Sequence, residues 1–456
     1  MEKQENSKSI INEKRVVVGM TGGIDSAVAA FLLKKQGYEC IGVSIVMVNE
    51  EQIREGISKI AKVEEKDENS IFYKKKENEK AVSLEERVSF LNSCCSVKKL
   101  EHVRDVCETI GIAFYAVNAT LEYRDLILES VIAARLSGES FIPCLDCNVL
   151  RMKILHEKAK VLGAYYVGSG HYAKVYKNDK LNCYHVFTAN DEESDQSMLL
   201  ANLEQEQLQN LLMPLADLRK IDVQKINERY GLGGRVLRDS TVFCFNSVDI
   251  SYFVEAQSHH GLRPTGHIMD YNTDSIYGEH LGIHKHWIGQ TQVVAKDGIG
   301  AQEINPEYVV MDIDPKGRVL VGDPSTFVFE GCAVDSLRLA PFIDLTKPLE
   351  LFLKKDLKSK KVRATVYFKT AGVALLMFSE KIYGLSIGHL LVFYDKDGAS
   401  AKVMGSGRVS FLGSLSPVNR TDIFDTVKRA QKKREAKEDS DGVQIKVSSK
   451  SAGMSL

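Results

Sequence analysis

The sequence predicts an α/β fold: a doubly wound parallel sheet, then a small helical linker domain, then a C-terminal β-barrel. Three observations carry this expectation. Near the amino end, continuous apolar runs alternate with helical spacing. From about 205 to 260 the pattern is mostly helical. From about 285 to 413 come short β runs with turn signals: "EYVVMDID", "RVLVG", "RATVYF", "LLVFYDKDG" and "GSGRVSFLG".

The elements follow in order. Residues 1–14, MEKQENSKSIINEK, are polar, lack the apolar core of a signal peptide and read as disordered. Val16 to Met20 is a buried-strand run, Ala27 to Lys35 has helical spacing, Gly37 ends that helix, and Cys40 to Met47 is a second buried strand. Residues 48–92 are dense in Lys and Glu and read as a charged surface insertion, most simply a solvated face. The αβ rhythm resumes with a helix from Val97 to Ile110, a strand from Ile112 to Val117, a helix near Leu121 to Leu136, the loop "SGESFIPCLDCN", a helix to Leu162 and a strand from Tyr165 to Gly168. Such alternation puts ligand sites at the carboxyl ends of the strands. The expected division is 15–212 for the sheet domain, 213–284 for the linker, 285–415 for the barrel and 416–456 for a charged, disordered tail.

Bulk properties set limits. With 456 residues, two or three domains are expected. The net charge is -1, so any polyanion needs a local basic surface rather than a global field. No apolar run reaches the roughly 20 residues of a membrane span, which argues against a membrane partner. Nine cysteines, an odd number without a secretory signal, point to reduced thiols and a cytoplasmic location.

The chemistry starts at "GMTGGIDS", residues 19–26. A glycine-rich loop between strand and helix aims backbone N–H groups and the helix dipole at an anion. No Lys follows the glycines as in a Walker A, and the spacing is not G-x-G-x-x-G. A plain turn with Ser26 and Asp25 as caps is the bland alternative. A second cluster, Cys144–Leu–Asp–Cys147, sits just before a helix, where a thiol is acidified; a third is Cys244 in "RDSTVFCFN". C-x-x-C alone leaves zinc, a redox pair, iron–sulfur ligation and inert burial open, and zinc lacks a second such pair. Cys40, Cys94, Cys95, Cys107, Cys183 and Cys332 read as core or incidental, and "HKH" at 284–286 is only a weak metal signal.

The Thr–Gly–Gly–x–Asp–Ser arrangement resembles the PP-loop of ATP pyrophosphatases, of the adenine nucleotide α hydrolase-like fold. Most of residues 15–413 resembles the tRNA-specific 2-thiouridylases, the MnmA/TrmU family. The ordered matches are "GMTGGIDS", "CCS" at 94–96, "IPCLDCN", "GSGHYAKV", "SDQSMLL", "DSTVFCF", "IYGEHLGIHKHWIGQ", "EYVVMDID", and "GLSIGHLLVFYD" with "VMGSGRV". The family's three-part layout agrees with the division above.

The resemblance implies ATP-dependent transfer of sulfur to C2 of a tRNA wobble uridine, with AMP and pyrophosphate formed. It implies ATP contacts from Gly19, Met20, Thr21, Gly22, Gly23, Ile24, Asp25, Ser26, Ile45 and Gly170, with Mg2+ on Asp25. Cys244 would carry a persulfide and Cys147 would resolve it through a disulfide. Ile142, Pro143, His171, Ser194, Asp195, Gln196 and His389 would meet tRNA. A cysteine desulfurase or sulfur-relay protein would supply sulfur.

The sequence also departs from the family. Thr21 replaces the usual Ser but keeps the hydroxyl, "VMVNE" lacks the usual Asn–Trp pair, and Cys144 stands where the family commonly has Asp. Thr291, Gln292, Val293 and Val294 replace Arg–Lys–Gly–Leu after "WIGQ". In the barrel, His389 replaces Gln, and an Arg–Tyr pair is lost with Lys354 and Lys355 nearby. Cys144, Cys147 and Cys244 could instead hold a [4Fe–4S] cluster, as in related PP-loop thiolases acting on another RNA. A non-catalytic RNA-binding paralogue is the third reading, weakened by retention of Asp25, Ser26, Cys147 and Cys244.

Overall fold

The computed structural model describes residues 12–48, 97–141, 143–236, 251, 254, 265–291, 293, 295, 303–314, 316–368 and 372–412. The readings of the 48–92 insertion, of "CCS" and of the tail thus fall largely or wholly outside the described residues.

The first layer is a parallel sheet. Its strands are β1 (Asn12–Gly19), β2 (Glu39–Val46), β3 (Ala113–Asn118), β4 (Ala164–Gly168) and the short β7 (Leu211–Leu212), in the order β3-β2-β1-β4-β7. The register is parallel throughout, with Val17 opposite Ile41 on one side and Val167 on the other. Val16, Val17 and Val18 are wholly buried because both faces of β1 are covered. Val16 and Val18 pack with Ala27, Ala30 and Leu33 of helix α1 (Ile24–Lys35), whereas Val17 packs with Leu150 and Leu155 of the long helix Pro143–Val161. This double cover explains the unbroken apolar run.

Connections follow the expected rhythm. Helix Leu100–Ile110 ends at Gly111, left-handed at φ +73, and feeds β3. The helix expected near 121–136 starts at Thr120, passes through a π turn at Arg124–Leu128 and ends at Ser137. A hairpin of β5 (Ala173–Asn178) and β6 (Cys183–Thr188) follows β4, and helix Lys220–Arg229 packs on α1.

The β-rich part begins before residue 285. β8 (Gly266–Asp270) and β9 (Ile276–His280) join β10 (Val309–Ile313) and β11 (Val319–Gly322) in a four-stranded sheet of order β10-β11-β8-β9. "EYVVMDID" and "RVLVG", read from sequence together with the barrel strands, belong to this sheet. The closed barrel is β12 (Val328–Leu339), β15 (Ala374–Tyr383), β14 (Val362–Phe368), β13 (Leu349–Lys354), β16 (Leu390–Tyr394) and β17 (Val403–Leu412), in that spatial order. β16 is buried on both faces. Leu391 and Phe393 fill the barrel, while Leu390, Val392 and Tyr394 complete the core behind the parallel sheet.

The loop before helix Pro143–Val161 and the helices on either side of it are clamped to the β-rich part. Ser140 N donates to Ile387 O at 2.8 Å, Arg135 donates to His286 O at 3.2 Å, and Arg408 pairs with Asp146 at 2.7 Å.

Candidate active site

The order β3-β2-β1-β4-β7 reverses direction between β1 and β4. Ligands of open α/β sheets bind in the crevice at that reversal, beyond the carboxyl ends of the strands. Residues 20–26 follow β1 there and residues 169–172 follow β4.

The loop after β1 is held from several sides. Met20 N donates to Val43 O at 2.8 Å. Gly22 is left-handed at φ +76, and a Cβ there would come within 2.9 Å of the His102 ring. His102 Nε2 donates to Gly22 O at 3.2 Å. Ser26 Oγ donates to Gly23 O at 3.0 Å and accepts from Thr21 N at 3.2 Å; Thr21 Oγ1 accepts from Gly23 N at 3.3 Å. The two hydroxyls stand 3.2 Å apart. A strand-like bridge pins the far side: Ile24 N donates to Arg235 O and Arg235 N to Gly22 O, each at 3.1 Å. Gly23 is the N-cap of α1 and brings no side-chain cap, so apart from Ile24 N, taken by Arg235 O, no side chain caps the donors of the first turn.

Gly170 closes the crevice from β4. A Cβ on Gly170 would lie 2.9 Å from the carbonyl carbon and oxygen of Asp25 and 3.0 Å from Ser26 N, all of them backbone. Asp25 Oδ1 accepts a 2.8 Å bond from the Tyr172 hydroxyl. Burial and then the Asp25 charge push the Tyr172 phenol up, so it stays a protonated donor. Next to it, Ser169 Oγ and His171 Nδ1 are 2.5 Å apart. Ile45 and Met20 are buried, Met20 at the loop and Ile45 near the end of β2. Together the glycine cradle, two hydroxyls, an open helix start and one acid fit a nucleotide's phosphates; Asp25 suits a bridging divalent cation or the helix dipole.

Both described motif thiols sit in the first turns of helix Pro143–Val161. Cys144 is half-buried and Cys147 is 8% exposed, with its Sγ 3.6 Å from Met47 Sδ. Met47 lies just past the carboxyl end of β2, so Cys147 is at the same edge of the sheet as the glycine loop. Cys244 and Ile142 lie outside the described residues. Among the described residues no three His, Cys, Asp or Glu side chains gather as a metal site. Burial pushes the thiols of Cys40 up to about 11 and of Cys107 up to about 12, and raises Cys332 as well, which fits inert core positions.

The residues the resemblance would give to tRNA are not all at the surface. Pro143 is buried, Asp195 is 5% exposed and Gln196 8% exposed. Asp195 accepts from Ala189 N, Ser197 N and Ser197 Oγ and faces Lys354 Nζ at 3.6 Å. Lys354 is therefore a buried counter-ion rather than an exposed replacement for a lost basic contact. Ser194 is half-buried and donates to Asp191; His171 is half-buried. His389 is also half-buried, its Nδ1 accepting from Ser386 N at 3.2 Å, and burial pushes it down to about 4. His284 and His286 are buried. Sequence reasoning missed Tyr172, His102 and Arg235. Only Tyr172 left a trace, lying inside the quoted "GSGHYAKV".

Comparisons with known proteins give the family. The model of the family described as the tRNA methyl transferase HUP domain matches residues 14–72 and 59–247. The tRNA-specific 2-thiouridylase MnmA of Clostridium botulinum (strain Alaska E43 / Type E3) is 30% identical over 389 residues, 84% of this chain and 96% of its own. The chain belongs to the MnmA family. The MnmA of Natranaerobius thermophilus is 30% identical over 398 residues, covering 87% of this chain and 97% of its own. That of Clostridium perfringens (strain 13 / Type A) is 29% identical over 406 residues, 88% and 100%. The MnmA likeness thus spans the sheet, the four-stranded sheet and the barrel alike. An NMN synthetase structure from Francisella tularensis covers 50% of this chain at 14% identity and a TM-score of 0.25, too weak to carry an argument. Among the described residues of this MnmA-family chain, no helix is long and apolar enough to cross a membrane.

Proposed function

We propose that this chain is an ATP-dependent tRNA uridine 2-sulfurtransferase. The observation that carries the reading is the glycine-and-hydroxyl cradle of residues 19–26 sharing one sheet edge with the Cys147 thiol. The family model's description speaks of methyl transfer; a nucleotide loop beside a thiol suits sulfur transfer better, and this is the reaction in the relatives' name.

The C2 oxygen of uridine is a poor leaving group. In the proposed reaction it attacks the α-phosphorus of ATP, pyrophosphate leaves, and C2 now carries AMP. The terminal sulfur of a Cys244 persulfide attacks C2, and AMP departs with the original oxygen. The Cys147 thiolate then attacks the inner Cys244 sulfur. The S–S bond to the transferred sulfur breaks, its electrons make the C2 thione, and Cys147 and Cys244 are left as a disulfide that an external thiol reduces. Gly22, Gly23 and Gly170 allow close approach, Thr21 and Ser26 donate to phosphate oxygens, and Asp25 would hold Mg2+, which would offset phosphate charge. Gly19, Met20, Ile24 and Ile45 shape the nucleotide's surroundings. The wobble uridine would meet residues 142–143, His171 and Ser194, with His389 on the barrel side. Asp195 and Gln196 act from beneath that surface. A catalytic sheet domain, a linker and a C-terminal barrel belong to the same proposal, with the barrel taken as β12–β17 and β8–β11 as a sheet of their own. So do a cysteine desulfurase or sulfur-relay donor and a cytoplasmic location.

The test is incubation of the chain with ATP, Mg2+, a persulfide donor (a cysteine desulfurase with cysteine), a reducing thiol and total tRNA, followed by nucleoside mass spectrometry. The reading expects 2-thiouridine that disappears without ATP. ATP turnover with no thiolated nucleoside would refute it. The second reading, a Cys144/Cys147/Cys244 [4Fe–4S] cluster, is favoured by Cys144 standing three residues from Cys147 on one helix face. It expects an absorbance band near about 400 nm after anaerobic purification.

A further inference from the structure

A chain of buried polar contacts joins the barrel to the nucleotide loop. At the barrel end, Lys354 is the last residue of β13, and its Nζ faces Asp195 Oδ2 at 3.6 Å with both side chains nearly sealed from solvent. Asp195 Oδ1 accepts from Ala189 N at 3.0 Å and Ser197 N at 3.2 Å, and Oδ2 accepts from Ser197 Oγ at 2.9 Å. Ser197 Oγ also lies 3.1 Å from the hydroxyl of Tyr394 on β16. The next residue, Gln196, brackets a single tyrosine: Gln196 N donates to Tyr172 O at 2.8 Å, and Tyr172 N donates to Gln196 Oε1 at 3.2 Å. The wholly buried Tyr172 then donates its hydroxyl to Asp25 Oδ1 at 2.8 Å, in the first turn of α1.

We propose that Tyr172 is a positioning residue that orients the Asp25 carboxylate for a nucleotide-bound divalent cation, and that Lys354 of the barrel sets Tyr172 through the loop Asp195–Gln196–Ser197.

The physical case has two parts. A buried carboxylate is tolerated only when paired and hydrogen-bonded, so the position of Asp195 is dictated by Lys354 and Ser197. Its neighbour Gln196 grips both backbone polar groups of Tyr172, leaving that residue little freedom to move on its own. A rigid phenol donating to one oxygen of Asp25 fixes the direction of the other, and a bound cation requires its ligand oxygens within narrow geometry. A phenylalanine would pack in the same place, so the hydroxyl bond to Asp25 is what sets Tyr172 apart from a merely packed ring. The inference rests on residues 19–26 being the ATP loop.

The experiment measures ATP binding to the full chain by calorimetry, with Mg2+ and with EDTA, alongside the thermal unfolding midpoint. Tyr172→Phe keeps the ring and removes one hydrogen bond to a charged group, so affinity for ATP with Mg2+ should fall roughly tenfold. Affinity in EDTA should change less than about twofold, because Asp25 then has no cation to hold. Lys354→Met should reproduce the Mg2+-dependent loss, and in the Tyr172→Phe background it should add nothing further. If Lys354→Met fails to fold, Tyr394→Phe perturbs the same loop through Ser197 and should give a smaller loss of the same kind. Equal losses with and without Mg2+, or unchanged affinity in Tyr172→Phe, would overturn the proposal. Additive effects of Lys354→Met and Tyr172→Phe would overturn the barrel connection. A wild-type chain that binds no ATP would instead remove the reading of the loop, and the inference with it.

Discussion

Gly170→Ala tests the nucleotide crevice with a single methyl group. The added Cβ would sit 2.9 Å from the Asp25 carbonyl carbon and oxygen and 3.0 Å from Ser26 N, where ordinary contact starts at 3.4 Å. Relief therefore needs a shift of about 0.5 Å, and every atom in the way is backbone at the start of α1. Overpacking of this kind costs about 1–3 kcal/mol. If the strain is released by moving the first turn of α1, it falls on the phosphate cradle. At about 1.4 kcal/mol per decade, ATP affinity then drops roughly 5- to 150-fold. Calorimetric titration with ATP reads that loss, and thermal unfolding reads any share taken by the fold. Gly37→Asn is the control: Gly37 is left-handed at φ +90 with nothing within 4 Å of its Cβ position, and Asn tolerates that backbone, so ATP affinity should hold. Should Gly170→Ala bind ATP as tightly as wild type with an unmoved midpoint, the crevice between β1 and β4 is not where the nucleotide sits.

Cys147→Ser should abolish 2-thiouridine formation, read by nucleoside mass spectrometry. Cys144→Ser should leave it under the persulfide–disulfide chemistry and destroy it if a cluster is used. Acid should loosen the β-rich part through His286, which takes up a proton near 6.5 when unfolded but, being buried, only near about 4 when folded. Between those values the unfolded chain binds more protons, so stability rises with pH. This histidine alone should remove about 2 kcal/mol on going from neutral pH to 5, seen as a falling urea midpoint that His286→Gln flattens. The half-buried pair Asp146–Arg408, at 2.7 Å, should show a coupling of about 1 kcal/mol in a double-mutant cycle of Asp146→Asn and Arg408→Met, read by urea unfolding.

Much of the parallel sheet was legible because its signals are local. Val16–Val18 is apolar without interruption because two helical layers cover it, and left-handed glycines at 37, 111 and 163 mark helix ends. The glycine loop was legible for the same reason. Harder to read were features whose cause lies far along the chain. "GHIMD" and "IYGEH" mix polar and apolar residues and give no clean alternation, so the strands from Gly266 and Ile276 went unread. "LLVFY" reads as a strand, but not that its second face completes the core of another sheet. Asp195 and Gln196 look like surface residues because they are polar. Their burial is offset by Lys354 and Tyr172, neither of them adjacent in sequence. Tyr172 lay inside the quoted "GSGHYAKV", but its partner, the Asp25 carboxylate, is 147 residues away, so nothing local pointed to that bond.

The central claim is that the uridine C2 oxygen is activated as an AMP ester before sulfur replaces it. The direct test is to prepare tRNA carrying 18O at C2 of the wobble uridine, run the reaction with ATP, Mg2+ and a cysteine desulfurase with cysteine as persulfide donor, and locate the label by mass spectrometry. The account predicts the label in AMP, in step with 2-thiouridine formed. Label found in water or pyrophosphate, with AMP unlabelled, would contradict it.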